Sequence, residues 1–281
     1  MSTSAESSRL GIDDPDLIRA RATVLRCLRD WLHEHGYLEV HTPIIVPSGA
    51  MEEHLEPVRL GTAHLHTSPE FALKRVLARG LCRVYQVVPC FREEEVGRHH
   101  SREFTMLEWY RVGAGTPELM DEVEEVINRC AESLGGTPLN WQRVAVSDLL
   151  DDTGEPDEWF RRWVDDVEPR LDSPTIVHSY PAWQAALAQV RGDVADRFEV
   201  YLGGIELANA FAELTCGDEL ETRWQASNMQ REASGRPAHP VDPRIVEATR
   251  RLPRCAGIAV GVDRLVMALT GASHICQVQV R

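Results

Sequence analysis

FREEEVGRHHSREFTMLEWY, residues 91–110, is crowded with charge at its start and then alternates between apolar and polar side chains. The alternation predicts a β-strand over residues 103–112, because successive side chains of a strand point to opposite faces. Four side chains then share one face: Phe104, Met106, Glu108 and Tyr110. That face has an aromatic ring at one end and a carboxylate beside a phenol at the other, which favours a binding site. A core strand with Glu108 at a solvent edge is the competing interpretation.

The charged part of this stretch follows another predicted strand, residues 83–91. It places Arg92, Arg98 and His100 in the loop that leads to Phe104. A basic loop between two strands, ending at an aromatic ring, can hold a polyphosphate and stack a base. An ordinary charged hairpin tip is the alternative.

A second hairpin is predicted over residues 197–211, around a central Gly-Gly turn. The two-residue turn pairs Tyr201 with Glu206 and places Glu199 diagonal to Glu206 on the same face. Two carboxylates at this distance repel each other unless a cation lies between them. Mg²⁺ suits such a site, because it keeps water and phosphate oxygens as its other ligands. A solvent-facing acidic patch is the alternative.

Three further polar residues lie close to these elements. Simple alternation places Asn209 on the face opposite to Glu206, so Asn209 contributes only if the strand ends or bulges there. Glu213 follows just beyond the hairpin. Glu70 lies in the first turn of a predicted helix with Lys74 four residues later, which by itself indicates a structural ion pair.

The order of predicted elements indicates the fold class. Asp14-Pro15 opens a helix that Gly36 ends, and further helices are predicted to begin near residues 68, 116, 218 and 242. Strands dominate the middle of the chain without a regular βαβ order. The fold class is therefore α+β, with an antiparallel β-sheet flanked by helices. The acidic, tryptophan-rich region 140–175 carries no clear pattern.

Composition narrows the function. The 281 residues are 43% hydrophobic and carry a net charge of −14, which fits a large core and disfavours a general nucleic-acid-binding surface. Seven cysteines without a C-x-x-C pair predict reduced thiols in the cytoplasm. The sequence has no secretory signal pattern and no run of about eighteen apolar residues, so we expect no membrane association.

Three ordered segments resemble the signature motifs of class II aminoacyl-tRNA synthetases. GYLEVHTP is similar to motif one, FREEE…HHSREFTMLEWY to motif two and AVGVDRL to motif three. TSPEFALKRVL and GIELANAFAELT resemble the lysyl type, and the likeness covers roughly residues 15–275. It implies a flexible N-terminus over 1–14, one catalytic domain over 15–281 and no N-terminal anticodon-binding OB domain.

The chain therefore resembles the truncated lysyl-tRNA synthetase paralogs that act as elongation factor P lysine lysyltransferases. This resemblance implies ATP-dependent activation of lysine or β-lysine with Mg²⁺, followed by transfer to a lysine side chain of elongation factor P. It also implies a homodimer, and tRNA is not an expected partner. Three alternatives remain: a stand-alone lysyl-tRNA synthetase, another amide-forming synthetase, and an inactive paralog that serves as a binding subunit.

The same resemblance implies a role for each matched residue. Arg92 and Arg264 would be the catalytic pair. The expected ATP-binding residues are Arg92 at the α-phosphate, Glu94 at the adenine amino group, Phe104 under the base, and His100 and Arg264 at the outer phosphates. Glu199 and Glu206 would hold Mg²⁺. The expected lysine-binding residues are Glu70 at the backbone amine, Glu108, Tyr110 and Glu213 at the side-chain ammonium, Asn209 at the carboxylate, and Ala259, which shapes the pocket.

Overall fold

The computed structural model describes residues 14–151 and 155–280, so the predicted flexible N-terminus lies outside it except for Asp14. Its α-helices are α1 (Pro15–Glu34), α2 (Glu70–Leu77), α3 (Thr116–Ser133), α4 (Val146–Leu149), α5 (Pro156–Arg162), α6 (Gly217–Ala233), α7 (Pro243–Arg250) and α8 (Val262–Thr270). Helix α1 begins as the sequence predicts. The Asp14 side chain accepts a hydrogen bond from the Asp16 amide, and Pro15 takes the first helical position.

The strands form two sheets. They are β1 (Leu38–Glu39), β2 (Ile45–Val46), β3 (Arg59–Leu60), β4 (Ala63–Leu65), β5 (Arg83–Phe91), β6 (Glu103–Val112), β7 (Gln142–Ala145), β8 (Thr175–Pro181), β9 (Val190–Arg191), β10 (Val194–Leu202), β11 (Ile205–Ala212) and β12 (Cys255–Gly261). The large sheet has the order β1-β5-β6-β12-β11-β10-β8-β7, with β9 paired to β10, and β2, β4 and β3 form a small one.

The large sheet is antiparallel at its centre and parallel at both edges. β1 runs parallel to β5 and β7 runs parallel to β8, whereas the central strands pair antiparallel. Helical segments separate the strands of each parallel pair, as a crossover connection requires. The predicted α+β class is confirmed, and the expectation of an antiparallel sheet holds for all but these edge pairs.

One face of the central sheet packs against helices, and the other face lines a cavity. Leu107 and Trp109 of β6 pack with apolar side chains of α1, α3 and α8 in the main hydrophobic core. Met106, Glu108 and Tyr110 point to the opposite face, where they line a cavity. The alternation of β6 therefore separates a helix-covered core from a polar site.

The region 140–175, which the sequence left unassigned, folds around tryptophans. Trp159 and Trp163 stack with ring centroids 4.8 Å apart, and both are buried. The Trp163 ring also packs near Tyr180 of β8, at 5.8 Å between centroids. This small second core attaches the region to the edge of the large sheet.

Two findings bear on the environment of the protein. Within the described part of the chain, no helix combines the length and the apolar character that crossing a bilayer requires. All seven cysteines have free thiols.

Candidate active site

A cavity of about 290 Å³ lies on the open face of the central sheet. Strands β6, β11 and β12 form its floor, and the loop between β5 and β6 forms one wall. The sequence-predicted residues that line it are Glu70, Arg92, His100, Phe104, Glu108, Tyr110, Glu206, Asn209, Glu213, Ala259 and Arg264. Glu94 and Glu199 are the predicted residues outside this lining.

One end of the cavity is acidic and buried. The Glu108 carboxylate, 1% exposed, accepts hydrogen bonds from the Ser68 hydroxyl at 2.5 Å and the Tyr110 hydroxyl at 2.9 Å. Burial, with the nearby charge of Glu70, raises the pKa of Glu108 to about 8. Without a bound cation, this carboxyl is therefore largely protonated near neutral pH.

Lys74, the only lysine in the sequence, contributes its ammonium to this acidic end. Its Nζ lies 2.5 Å from Glu70 Oε1 and 2.5 Å from Glu213 Oε2. Burial opposes the charge, but the two carboxylates outweigh it, so the pKa of Lys74 is raised. Burial raises the pKa of Glu213 to about 7, although Lys74 lowers it. Sequence spacing indicated the contact with Glu70 and missed the one with Glu213.

Small residues of β12 make room for the acidic end. Ala259 lies opposite Glu108 on one neighbouring strand and opposite Asn209 on the other. A Cβ at Gly257 would lie 2.2 Å from a ring carbon of Tyr110 and 2.5 Å from an oxygen of Glu213. The absence of a side chain at Gly257 therefore allows Tyr110 and Glu213 to converge, a role that no sequence pattern indicates.

The other end of the cavity is cationic. The Arg92 guanidinium lies 5.1 Å from the centre of the Phe104 ring, and its buried Nε has no hydrogen-bond partner within residues 14–151 and 155–280. Arg264 Nη2 lies 2.6 Å from His100 Nε2. Burial and the Arg264 charge lower the pKa of His100, so its neutral ring accepts this hydrogen bond. The free donor on Arg92 fits an anionic ligand such as a phosphate.

Two neighbouring glutamates in the β5–β6 loop behave differently. Glu95 lines the cavity, and its carboxylate lies 3.5 Å from Arg92 Nη1 and 3.1 Å from His100 Nε2. Glu94, predicted to meet the adenine, is 59% exposed and forms an ion pair with Arg236 at 3.4 Å, outside the cavity lining. The sequence carries no signal for Glu95, because consecutive acidic residues in a loop have no periodic pattern.

A β-bulge explains how Asn209 reaches the site. Tyr201 pairs with Glu206 as predicted, but Glu199 pairs with Asn209, so Leu207 is the extra residue of β11. The extra residue reverses the alternation beyond it. Asn209 therefore lies on the cavity side, which simple alternation did not predict.

The predicted acidic pair is already neutralised by protein groups. Glu199 accepts hydrogen bonds from Arg197, from Tyr180 at 2.5 Å and from Tyr201 at 2.7 Å. Glu206 lies 3.4 Å from Arg264 Nη1, and burial together with Glu199 raises its pKa to about 7. Arg197 and Arg264 therefore supply protein cations beside this pair, and the magnesium role of Glu199 and Glu206 stays a prediction.

The acidic pair still has the donor chemistry of a magnesium site. No cluster of three or more histidine, cysteine, aspartate or glutamate ligands exists in the part of the chain that the structure describes. Two carboxylate donors suit Mg²⁺ where phosphate oxygens and water complete the octahedron. The residues therefore fit a metal ion that arrives with a nucleotide.

The fold and this two-ended cavity define a catalytic domain of the class II synthetase type. Residues 14–280 match the family of class II tRNA synthetases (D, K and N), and the chain belongs to this family. It is 38% identical to an elongation factor P–(R)-β-lysine ligase of Vibrio cholerae, over 93% of both chains. It is 37% identical to the ligase of that name from Enterobacter sp., over 94% of both chains, and 36% identical to that of Yersinia enterocolitica, over 92% of both. The predicted family is confirmed.

Proposed function

We propose that this protein activates lysine or β-lysine with ATP and transfers the aminoacyl group to a lysine side chain of elongation factor P. One observation carries the proposal: a single cavity has buried carboxylates at one end and two guanidinium groups at the other, with Arg92 Nε lacking a partner among the described residues. The names of the three relatives support elongation factor P as the acceptor and favour (R)-β-lysine as the substrate.

The acidic end would recognise the two ammonium groups of the substrate. Glu70 would bind the amine near the carboxylate, and Glu108, Tyr110 and Glu213 would bind the distal ammonium. Lys74 already pairs with Glu70 and Glu213, so one positive charge of the site belongs to the protein. Desolvated carboxylates bind cations strongly but cost free energy when unpaired, which favours a doubly cationic substrate.

The first chemical step would be attack of the substrate carboxylate on the α-phosphorus of ATP. A bond forms between a carboxylate oxygen and the α-phosphorus. The bond from the α-phosphorus to the oxygen that bridges it to the β-phosphate breaks, and pyrophosphate leaves. The carboxylate needs no general base. Arg92 and Arg264 would align the phosphates and neutralise developing charge. Mg²⁺ held by Glu199 and Glu206 would add further neutralisation of the phosphate oxygens.

Phe104, His100 and Glu94 complete the proposed nucleotide site. Phe104 would stack on the adenine, and His100 would meet the outer phosphates beside Arg264. Glu94 would reach the adenine amino group only after leaving its ion pair with Arg236.

The second step would be attack of the acceptor amine on the acyl carbon. The new C–N bond replaces the bond to the phosphate oxygen, AMP leaves, and the amine loses a proton. A free lysine amine has a pKa of about 10.4, so the acceptor must be deprotonated before it attacks.

Assembly and location follow the same proposal. We infer a homodimer, supported by the exposed apolar side chains of Leu38, Ile45 and Leu60 around the motif-one segment. The free thiols support a reducing cytoplasm. The net charge of −14 disfavours tRNA as the acceptor.

Pyrophosphate exchange tests the proposal directly. We expect exchange that depends on lysine or (R)-β-lysine, and a mass increase of elongation factor P by one lysyl group when it is added. A lysyl group on tRNA instead would favour a stand-alone synthetase. Absence of exchange with both amino acids would favour the inactive paralog.

A further inference from the structure

Arg197 lies beside the cavity and contacts residues from both halves of the proposed site. We infer that Arg197 is a positioning residue that orients the Asn209 amide toward the substrate carboxylate. This inference rests on the proposed function, because it assigns a task to the same cavity. Neither the sequence motifs nor the matched roles include this arginine.

All three nitrogen atoms of the Arg197 guanidinium donate hydrogen bonds to neighbouring groups. Its Nε donates to Asn209 Oδ1 at 3.1 Å, its Nη1 donates to the Gln184 carbonyl at 3.0 Å, and its Nη2 donates to Glu199. The carbon at its centre lies 4.4 Å from the centre of the Tyr180 ring. With only 14% of the side chain exposed, these contacts hold the guanidinium in one position.

This position decides which end of the Asn209 amide faces the cavity. An arginine side chain has donors only, so the amide must turn its oxygen toward Arg197. The NH₂ group is then the end that remains for the cavity, which Asn209 lines. A carboxylate accepts hydrogen bonds and repels a carbonyl oxygen, so this orientation suits the substrate carboxylate and the opposite one does not.

A lysine side chain at position 197 cannot orient the Asn209 amide as Arg197 does. Glu199 and Asn209 lie opposite each other on β10 and β11, and Arg197 reaches both through different nitrogen atoms. A single ammonium would keep the charge beside Glu199 but could not hold the amide with the fixed geometry of a guanidinium. The Arg197→Lys variant therefore separates neutralisation of Glu199 from orientation of Asn209.

The test compares lysine with cadaverine, its analogue that lacks the carboxylate. Both contain the two amines, but only lysine uses the Asn209 contact. For Arg197→Lys we expect the substrate lysine to bind about tenfold more weakly, because one charge-assisted hydrogen bond to its carboxylate is lost. Cadaverine should bind to this variant within about twofold of its affinity for the wild type. Calorimetric titration of the full chain measures both. Asn209→Ala should weaken the binding of lysine by a similar factor. Combining Arg197→Lys with Asn209→Ala should cause little further loss of lysine affinity.

Equal weakening of lysine and cadaverine in Arg197→Lys would overturn the inference, because it would indicate general distortion of the cavity. Unchanged lysine binding would overturn it as well. Should Arg197→Lys fail to fold, Asn209→Asp keeps an acceptor toward Arg197 and removes the NH₂ donor. We then expect weaker lysine binding with cadaverine binding retained, and unweakened lysine binding would contradict the inference. Failure of the proposed function would appear separately, as absence of lysine-dependent pyrophosphate exchange in the wild type.

Discussion

The two ends of the cavity differ in how they are built. The acidic end comes from strands and a helix, and Glu108, Glu213 and Lys74 are all buried there. The cationic end depends on the loop between β5 and β6, where the His100 side chain is 43% exposed and the Glu95 carboxylate lies beside Arg92. Under the proposed function, recognition of the amino acid would therefore rest on a preformed, desolvated cluster. Phosphate binding would rest on Arg92 exchanging its Glu95 partner for a phosphate.

The cationic end should carry the largest catalytic effect, since charge develops on the phosphates in the transition state. We expect Arg264→Ala to reduce ATP–pyrophosphate exchange by about 10³-fold. The circular dichroism spectrum should stay unchanged. Arg251→Ala changes a largely exposed arginine directly after α7, and this matched control should retain exchange. Undiminished exchange in Arg264→Ala would refute the role assigned to this end.

The acidic end should show its effect in substrate affinity. Glu213→Gln leaves Lys74 with one carboxylate partner and removes a charge facing the substrate. We expect the KM for lysine to rise by about 30-fold or more, because the substrate ammonium loses one buried charged partner. The KM for ATP should stay nearly unchanged. Glu232→Gln, an exposed glutamate of α6, is the control. A parallel rise in both KM values would argue against a division of labour between the ends.

The pH dependence of lysine binding should also distinguish the two ends. The raised pKa values of Glu108, about 8, and Glu213, about 7, mean that the empty site holds protons which a bound ammonium displaces. Lysine should therefore bind more tightly as pH rises from about 6 to about 8, by at most roughly tenfold per unit for each group. Calorimetry in buffers of different ionisation enthalpy should detect proton release. A flat profile would contradict the raised pKa values of these buried carboxyls.

The same groups give an opposite trend for stability. A carboxyl whose pKa is raised by folding binds more protons in the native state than in the unfolded state. The stability that these carboxyls contribute to the substrate-free protein should therefore be lost as pH rises from about 5 to about 8, and saturating lysine should offset the loss. Histidines such as His66 and His239, whose pKa values burial lowers, act in the opposite direction. Melting temperatures measured with and without lysine across this range check the sign. A stabilisation by lysine that does not grow with pH would contradict it.

The smallest effect is expected at Glu95. The Glu95 carboxylate lies 3.5 Å from Arg92 Nη1, where it would compete with a phosphate of ATP. Glu95→Gln should therefore lower the KM for ATP by about threefold, which is the effect expected for removing a partly exposed ion pair. Glu93→Gln is the control, because Glu93 pairs with Arg102 on the surface instead. Weaker ATP binding in Glu95→Gln would show that Glu95 assists the nucleotide rather than competing with it.

Much of the fold could be predicted from local patterns. Strands β5 and β6 match the predicted residues 83–91 and 103–112 from end to end. Helix α1 starts where Asp14 caps it, because capping depends on hydrogen bonds between near neighbours in the chain. Most predicted site residues line one cavity. Several of them belong to strand motifs, in which every second side chain points to the same face of the sheet. Their individual roles and the single-domain boundaries stay predictions.

The sequence by itself determined the family, the main strands and helices, and the polar face of β6, because alternation, caps and ordered motifs act over short stretches. Tertiary structure alone decided that Lys74 meets Glu213, that the bulge at Leu207 turns Asn209 into the cavity, and that Arg197 holds it there. Lys74 and Glu213 are far apart in the chain, and the other two features depend on the register of β11 against β10. The strength of these contacts depends on which side chains packing removes from water, and that desolvation exists only in the folded protein.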